Sequence, residues 1–360
     1  MIEKLIKQWI RPEIQAIDAY HVPDPGDMIK LDAMENPYTW PDEMVNEWQA
    51  MLKSTALNRY PDPTSQSLQN KIRSSFSIPE DMDVLLGNGS DEIIQIIAMA
   101  VSGSDRCILS PDPGFVMYNM IAKFVGMQYV GVPLNPQDFS LDMDAMRLAI
   151  KQHQPAIIFL AYPNNPTGNL FNAEHVHEII QLAEGLVVLD EAYAAFAEDS
   201  FMNQLGKYPN LVVMRTVSKM GLAGLRLGYL AGPSSWLSEF DKIRLPYNIN
   251  VLTQVSAEFA LKYKSILDQQ TNSLCQERSR VYERLCSMPG LQVFPSQANF
   301  ILVRVQQGDA SQLFEKFKEN NILIKNLAKS TGVLNNCLRI TIGKPEENNA
   351  LMAVLDNYKF

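Results

Sequence analysis

From about residue 83 onward, short apolar runs alternate with amphipathic stretches, and this rhythm limits the folds open to the chain. DVLL, RCILS, AIIFLAY, LVVLDEAY and LVVMRT have strand length and a β-branched bias. SDEIIQIIAMAVSG and NAEHVHEIIQLAEG, which lie between some of them, have helical patterning. Strands alternating with helices predict a mostly parallel sheet with helices on both faces. The chain has 360 residues, 46% of them hydrophobic and 20% charged. That length and balance suit a globular protein of about two domains with a large core.

The texture changes after RLPYNIN, Arg244 to Asn250. A long helical pattern runs from Val251 to Met288, followed by NFILVRV, a helix at ASQLFEKFKENN, then ILIKNL and CLRITIG. This reads as a smaller α+β domain over 251–360, following a large domain over 31–250 and an N-terminal arm over 1–30. The arm, which holds a Pro-rich turn at VPDPGD, is the expected partner of the small domain. The small domain, so composed, is discontinuous.

Several function classes drop out early. A net charge of -9 leaves no basic footprint for nucleic acid, and anionic small ligands then need local cations. No uncharged run reaches the ~18 residues of a membrane span. The opening MIEKLIKQWIRPE is mixed and charged, unlike a secretory leader. Cys107, Cys275, Cys286 and Cys337 show no CxxC spacing, which fits a reducing cytoplasm. His175 and His177 point to different helix faces, His21 and His153 are isolated, and no metal site is expected.

In parallel sheets ligands sit beyond the carboxyl ends of strands, so the residues after each apolar run matter most. DVLL is followed by Gly87-Asn88-Gly89-Ser90-Asp91-Glu92, a tight turn into a helix that Ser90 is placed to cap and whose free N–H groups attract phosphate. The third glycine of a dinucleotide fingerprint is missing, and no GxxxxGK[ST] occurs. RCILS leads to Phe115, a flat apolar face. AIIFLA leads to Tyr162-Pro163-Asn164-Asn165-Pro166-Thr167-Gly168, where prolines and a glycine fix Asn165 as a donor. LVVL ends on Asp190, with Tyr193 close behind, and a buried acid there needs a partner. LVVMRT leads to Ser218, Lys219 and, after several glycines, Arg226.

Each feature has a plain structural reading, as a capped helix, a core aromatic, a turn or a surface charge. Together they describe an anion cradle, an aromatic plate, a fixed amide, an acid with a phenol, and a lysine beside an arginine. Pyridoxal 5'-phosphate uses all of them. Its aldehyde forms a Schiff base with a lysine, its ring nitrogen needs an acid, and its phosphate needs donors and a cation.

The motifs IRPEIQAIDAY, KLDAMENPY, NRYPDP, GNGSDE, PNNPTG, DEAY, SKMGLAGLRLGYLAG and CLRITIGKPEEN cover nearly the whole chain. In them the sequence resembles the fold-type-I pyridoxal-phosphate aminotransferases, and within those the histidinol-phosphate aminotransferases. The resemblance implies a large domain with a mostly parallel, seven-stranded-type sheet flanked by helices, plus a smaller α+β domain. It makes Lys219 the Schiff-base lysine and Asp190 the ring-nitrogen acid, with Asn165 and Tyr193 on the 3'-oxygen. Gly89, Ser90, Asp91, Ser218 and Arg226 fall to the phosphate, and Phe115 to the ring face. Tyr60 matches a tyrosine lent by the other subunit, which implies a homodimer. Arg339, Tyr20, Lys325 and, in a second role, Asn165 fall to the substrate. Met34 stands where many relatives have asparagine, and Lys325 where many have arginine, so substrate choice is where the analogy bears least.

The implied reaction, part of histidine biosynthesis, transfers the amino group of L-histidinol phosphate to 2-oxoglutarate. Burial near Arg226 is expected to lower the Lys219 pKa and make it a base. Aromatic amino-acid transamination and decarboxylation of an amino-acid phosphate use the same apparatus. A catalytically idle regulator and a nicotinamide enzyme built on GNGSDE are the readings from other classes. The intact lysine, acid and phosphate set argues against the regulator, and the nicotinamide reading leaves Lys219 and PNNPTG without a role.

Overall fold

The computed structural model describes residues 1–19, 22–103, 105–330 and 332–360. In chain order its strands are β1 (Ile29–Leu31), β2 (Asp83–Asn88), β3 (Cys107–Asp112), β4 (Gln128–Pro133), β5 (Ile157–Ala161) and β6 (Leu186–Asp190). They continue with β7 (Leu211–Thr216), β8 (Leu227–Gly232), β9 (Leu291–Val293), β10 (Phe300–Val305), β11 (Ile322–Asn326) and β12 (Cys337–Thr341).

Seven strands form one sheet in the order β2-β8-β7-β6-β5-β3-β4. All neighbours run parallel except β8, which is antiparallel to β2 and β7. The sequence explains why both faces are covered. Ile158, Leu160, Val187, Leu189 and Val213 pack into one apolar cluster, and Ile157, Phe159, Leu186, Val188 and Val212 into another. That period of two with no polar phase is what helices on both faces require. This is the α/β architecture with a mostly parallel central sheet.

Two of these strands went unread in the sequence. β4 is the half-exposed edge strand, with Gly131 in its middle. β8, LGYLAG, is fully buried but glycine-rich and without a β-branched residue.

The second sheet has the order β1-β11-β12-β10-β9. β1 pairs in parallel with β11, Leu31 opposite Ile324, so residues near the two chain ends share one sheet. Its core (Leu31, Phe300, Ile301, Phe317, Ile340 and Leu351 among others) also takes in Tyr193 from the end of β6. The helical stretch read as continuous after Val251 divides at Tyr263 into Val251–Lys262 and Lys264–Cys286. Among the described residues, no helix is long and apolar enough to cross a membrane.

The topology concentrates chemistry at one edge. β3, β5, β6 and β7 are parallel, and β2 shares their direction because two antiparallel pairings separate it from β7. Their carboxyl ends, with the start of the reversed β8, meet on one side. The chain's winding reverses between β3 and β5, and a crevice opens at such a switch point.

Candidate active site

The residues that close these strands line one cavity: Ser90, Asp91, Phe115, Asn165, Asp190, Tyr193, Thr216, Ser218, Lys219 and Arg226, with Met34 over the top.

Asp190 ends β6 at 4% exposure. Its Oδ2 accepts a 2.7 Å hydrogen bond from the Tyr118 hydroxyl and its Oδ1 one of 3.1 Å from the Ala192 N–H. Among the described residues, no cationic side chain forms an ion pair with it. Burial raises its pKa from the ordinary 3.8 to about 6, although both hydrogen bonds pull the other way. A buried acid with donors but no cation is costly unless a cationic ligand arrives.

Lys219 sits in the turn after β7. Its ammonium donates to the Ala33 carbonyl at 3.4 Å and lies 5.8 Å from the centre of the Tyr193 ring. Burial lowers its pKa from 10.5 to about 8, and the Arg339 charge helps. Arg226 also lowers it, as expected, but contributes less than Arg339, whose part here the sequence did not point to. Glu35 and Asp91 oppose the shift.

The anion cradle is built from close backbone approaches. Gly89, not Ser90, is the N-cap residue of the helix Ser90–Val101, and no side chain caps it. The expected Ser90 cap fails because Gly89, at φ +81°, completes the turn and leaves Ser90 as the first helical residue. A Cβ on Gly89 would stand 2.7 Å from an Arg226 guanidinium nitrogen, and one on Gly228 would stand 2.7 Å from the Ser90 nitrogen. These two glycines let β2 and β8 bring Arg226 beside the helix start. Arg226 pairs with Asp91 at 3.4 Å. Ser218 Oγ lies 2.8 Å from Thr216 Oγ1.

The small sheet closes the site from above. Arg339, 8% exposed, donates from one terminal nitrogen to Asn165 Oδ1 at 2.5 Å and from the other to the Asp32 carbonyl at 2.9 Å. Asn165 Nδ2 donates to the Tyr193 hydroxyl at 3.2 Å. Lys325 is the cross-strand partner of Arg339. Burial and Arg339 lower its pKa, opposed by Asp32.

One expected residue stands apart. Tyr60 does not line the cavity of its own chain; it is 81% exposed and stacks on Tyr247 at 4.5 Å. Tyr20 lies outside the described residues. Tyr118 and the carbonyls of Asp32 and Ala33 were missed. Tyr118 falls three residues after Phe115, on the first turn of the helix Val116–Val125, and that spacing was the available signal. The two carbonyls had none, since any residue carries one.

The donor set tests for a pyridoxal group. A lysine with a depressed pKa, an acid lacking a cation, a helix start flanked by an arginine and hydroxyls, and an aromatic plate share one cavity. The residues fit, and they define the class of a pyridoxal-phosphate-dependent transaminase of fold type I.

Comparison with known proteins agrees. Residues 26–355 match the family described as aminotransferase class I and II, and the chain belongs to it. It is 52% identical over 355 residues to histidinol-phosphate aminotransferase 2 of Nitrosococcus oceani, covering 99% of this chain and 98% of that one. It is 48% identical to histidinol-phosphate aminotransferase of Chromobacterium violaceum, covering 98% of each. Among solved structures, histidinol-phosphate aminotransferase from Clostridium acetobutylicum aligns with TM-score 0.82 at 25% identity, covering 92% of this chain and 100% of that one. The Sinorhizobium meliloti protein of that name, in complex with pyridoxal-5'-phosphate, gives 0.84 at 24%, covering 97% and 98%.

Proposed function

We propose that the chain transfers an amino group between L-histidinol phosphate and 2-oxoglutarate, giving imidazole-acetol phosphate and glutamate, in histidine biosynthesis. The observation that carries this reading is the Lys325–Arg339 cation pair, set by the small sheet beside the cavity that holds Lys219 and Asp190. A substrate that presents an amine to one and an anionic group to the other satisfies both. Relatives about half identical over nearly the full chain are named for that activity.

When bound, pyridoxal phosphate supplies an electrophilic carbon and a ring that accepts electron density. The chain's residues divide the remaining work. Arg226, Ser218 and the N–H groups at Gly89, Ser90 and Asp91 hold the phosphate. Asp190 would supply the negative charge for the ring nitrogen, and Phe115 would supply an apolar face for the ring. Asn165 and Tyr193 direct donors at the 3'-oxygen. Lys219 Nζ would be the group that bonds the cofactor's electrophilic carbon and, as a free amine, would take the proton from the substrate Cα. A pKa of about 8 leaves a useful share of it unprotonated near neutral pH. Arg339 binds a carboxylate in one half-reaction and, with Lys325, the phosphate in the other. Tyr20 is assigned to the substrate from the sequence resemblance alone.

The working unit in this reading is a homodimer in which Tyr60 reaches the neighbour's phosphate site. Tyr60, Leu57 and Leu245 are 81%, 69% and 74% exposed, an apolar set that a second copy would cover. The four cysteines are free thiols, which suits the cytoplasm. The division into an arm over 1–30, a large domain over 31–250 and a small domain over 251–360 belongs to the same proposal. It is supported by the two sheets, with β1 crossing into the small one, although their cores interlock: Ala257, Phe259 and Leu302 join the large-sheet cluster and Tyr193 the small-sheet one.

The test is a panel of amines offered to purified holoenzyme with 2-oxoglutarate: L-histidinol phosphate, phenylalanine, tyrosine and phosphothreonine. The reading predicts the highest kcat/KM for L-histidinol phosphate. A preference for phenylalanine or tyrosine, or release of carbon dioxide from phosphothreonine, contradicts it.

A further inference from the structure

We infer that Tyr118 is a positioning residue for the cofactor: its hydroxyl keeps the Asp190 carboxylate ionised and in place, while its ring supports the Phe115 plate. The inference rests on the assignment of Asp190 to the ring nitrogen.

Tyr118 is 1% exposed, and its hydroxyl donates to Asp190 Oδ2 at 2.7 Å. Its ring stacks on Phe159 with centroids 4.6 Å apart and planes 6° from parallel, and meets Phe115 edge-on at 5.5 Å. One side chain therefore touches both the acid and the aromatic plate. The backbone fixes this arrangement: Phe115 is the N-cap residue of the helix that carries Tyr118, and the Tyr118 N–H donates to the Phe115 carbonyl at 3.1 Å.

A phenol in such a place has one productive direction. Its pKa is raised well above 10 by burial and by the Asp190 charge, so it stays protonated and donates. A donated hydrogen bond favours the ionised acid. The other groups in Asp190's surroundings push the opposite way or are aimed elsewhere. Asp91, at the start of its helix, and Glu191, next in sequence, both raise the Asp190 pKa. The Tyr193 hydroxyl is taken up with Asn165. Lys219 and Arg226 line the cavity, with Lys219 donating to Ala33 and Arg226 to Asp91. Beside the Ala192 N–H, Tyr118 is the donor that holds Asp190 available to a cation.

Tyr118→Phe removes the hydroxyl and keeps the ring. The readout is the dissociation constant of pyridoxal phosphate from the full-length protein as a function of pH, in the wild type, Tyr118→Phe and Asp190→Asn. The wild type is expected to bind more weakly below a break near pH 6, where Asp190 protonates. The Asp190→Asn curve lacks that break and shows the ligand's own titration. In Tyr118→Phe the break moves up by about one pH unit, giving close to tenfold weaker binding below it. Site-specific 3-fluorotyrosine at position 118, a stronger donor of nearly the same shape, moves the break down and keeps the test decisive if the phenylalanine variant misfolds. A break that stays at the wild-type pH in either substituted protein overturns the role of Tyr118. An Asp190→Asn curve identical to the wild type overturns the Asp190 assignment and the inference together.

Discussion

The Asp190 carboxyl makes the folded, cofactor-free protein less stable than it would otherwise be, and the size of that effect follows from the structure. Its pKa is raised from 3.8 to about 6 by burial. An acid with a raised folded pKa opposes folding wherever it must ionise. The penalty is absent below pH 3.8, grows as the pH rises toward 6, and is complete above that. By linkage it amounts to about 3 kcal/mol at pH 7.5 and about 1 kcal/mol at pH 4.5. Asp190→Asn removes the charge. The amide still accepts from either Tyr118 or Ala192 but not from both, which returns about 1 kcal/mol of the gain. The variant should therefore be more stable than the wild type by about 2 kcal/mol at pH 7.5 and by little at pH 4.5, in urea unfolding of the protein stripped of pyridoxal phosphate. The same variant should bind the cofactor more weakly, which is the trade of stability for function expected at such a site. An unfolding difference that does not change between these pH values would refute the reasoning.

Four further outcomes follow from the geometry. In the cofactor-free protein, labelling of Lys219 by an amine-selective reagent should rise with pH around a midpoint near 8, because burial and Arg339 favour the uncharged amine; a midpoint near 10.5 would mean that the amine is solvated. Gly89→Ala should cost about 1–2 kcal/mol through its positive φ and should push Arg226 aside, so that cofactor affinity falls even where the fold survives; unaltered affinity in a calorimetric titration would count against the cradle. Glu191 is fully buried and pairs with Arg215 at 2.7 Å, so Glu191→Gln should destabilise by about 3–5 kcal/mol, read by urea unfolding at pH 7. Arg339→Ala should raise KM for both glutamate and L-histidinol phosphate by at least about tenfold, since it leaves the distal anion without its charge-assisted partner; steady-state kinetics that move for only one of the two would divide the roles of Arg339 and Lys325.

What the sequence made legible was local. Asp190, Lys219, Asn165 and Phe115 stood out because each closes an apolar run, and parallel strands carry their run ends to a common edge. The partners that complete the site were hidden by distance along the chain. Tyr118 reads as one more core aromatic until the fold brings it to an acid 72 residues away. Arg339 was assigned to the substrate, but its hold on the Asp32 carbonyl, 307 residues away, depends on where the pairing of β1 with β11 places the residue that follows β1. Strand β8 was obscured because glycines serve close packing there while the sheet, not local propensity, enforces extension. The Ser90 cap failed for a related reason: a glycine at positive φ moved the helix boundary by one residue.

The most direct test of the central claim is borohydride reduction of the holoenzyme followed by peptide mapping. The account predicts a single phosphopyridoxyl-lysine, at Lys219, and a Lys219→Ala protein that forms no such adduct and does not turn over L-histidinol phosphate. A reduced adduct at another lysine, or normal turnover by Lys219→Ala, would contradict it.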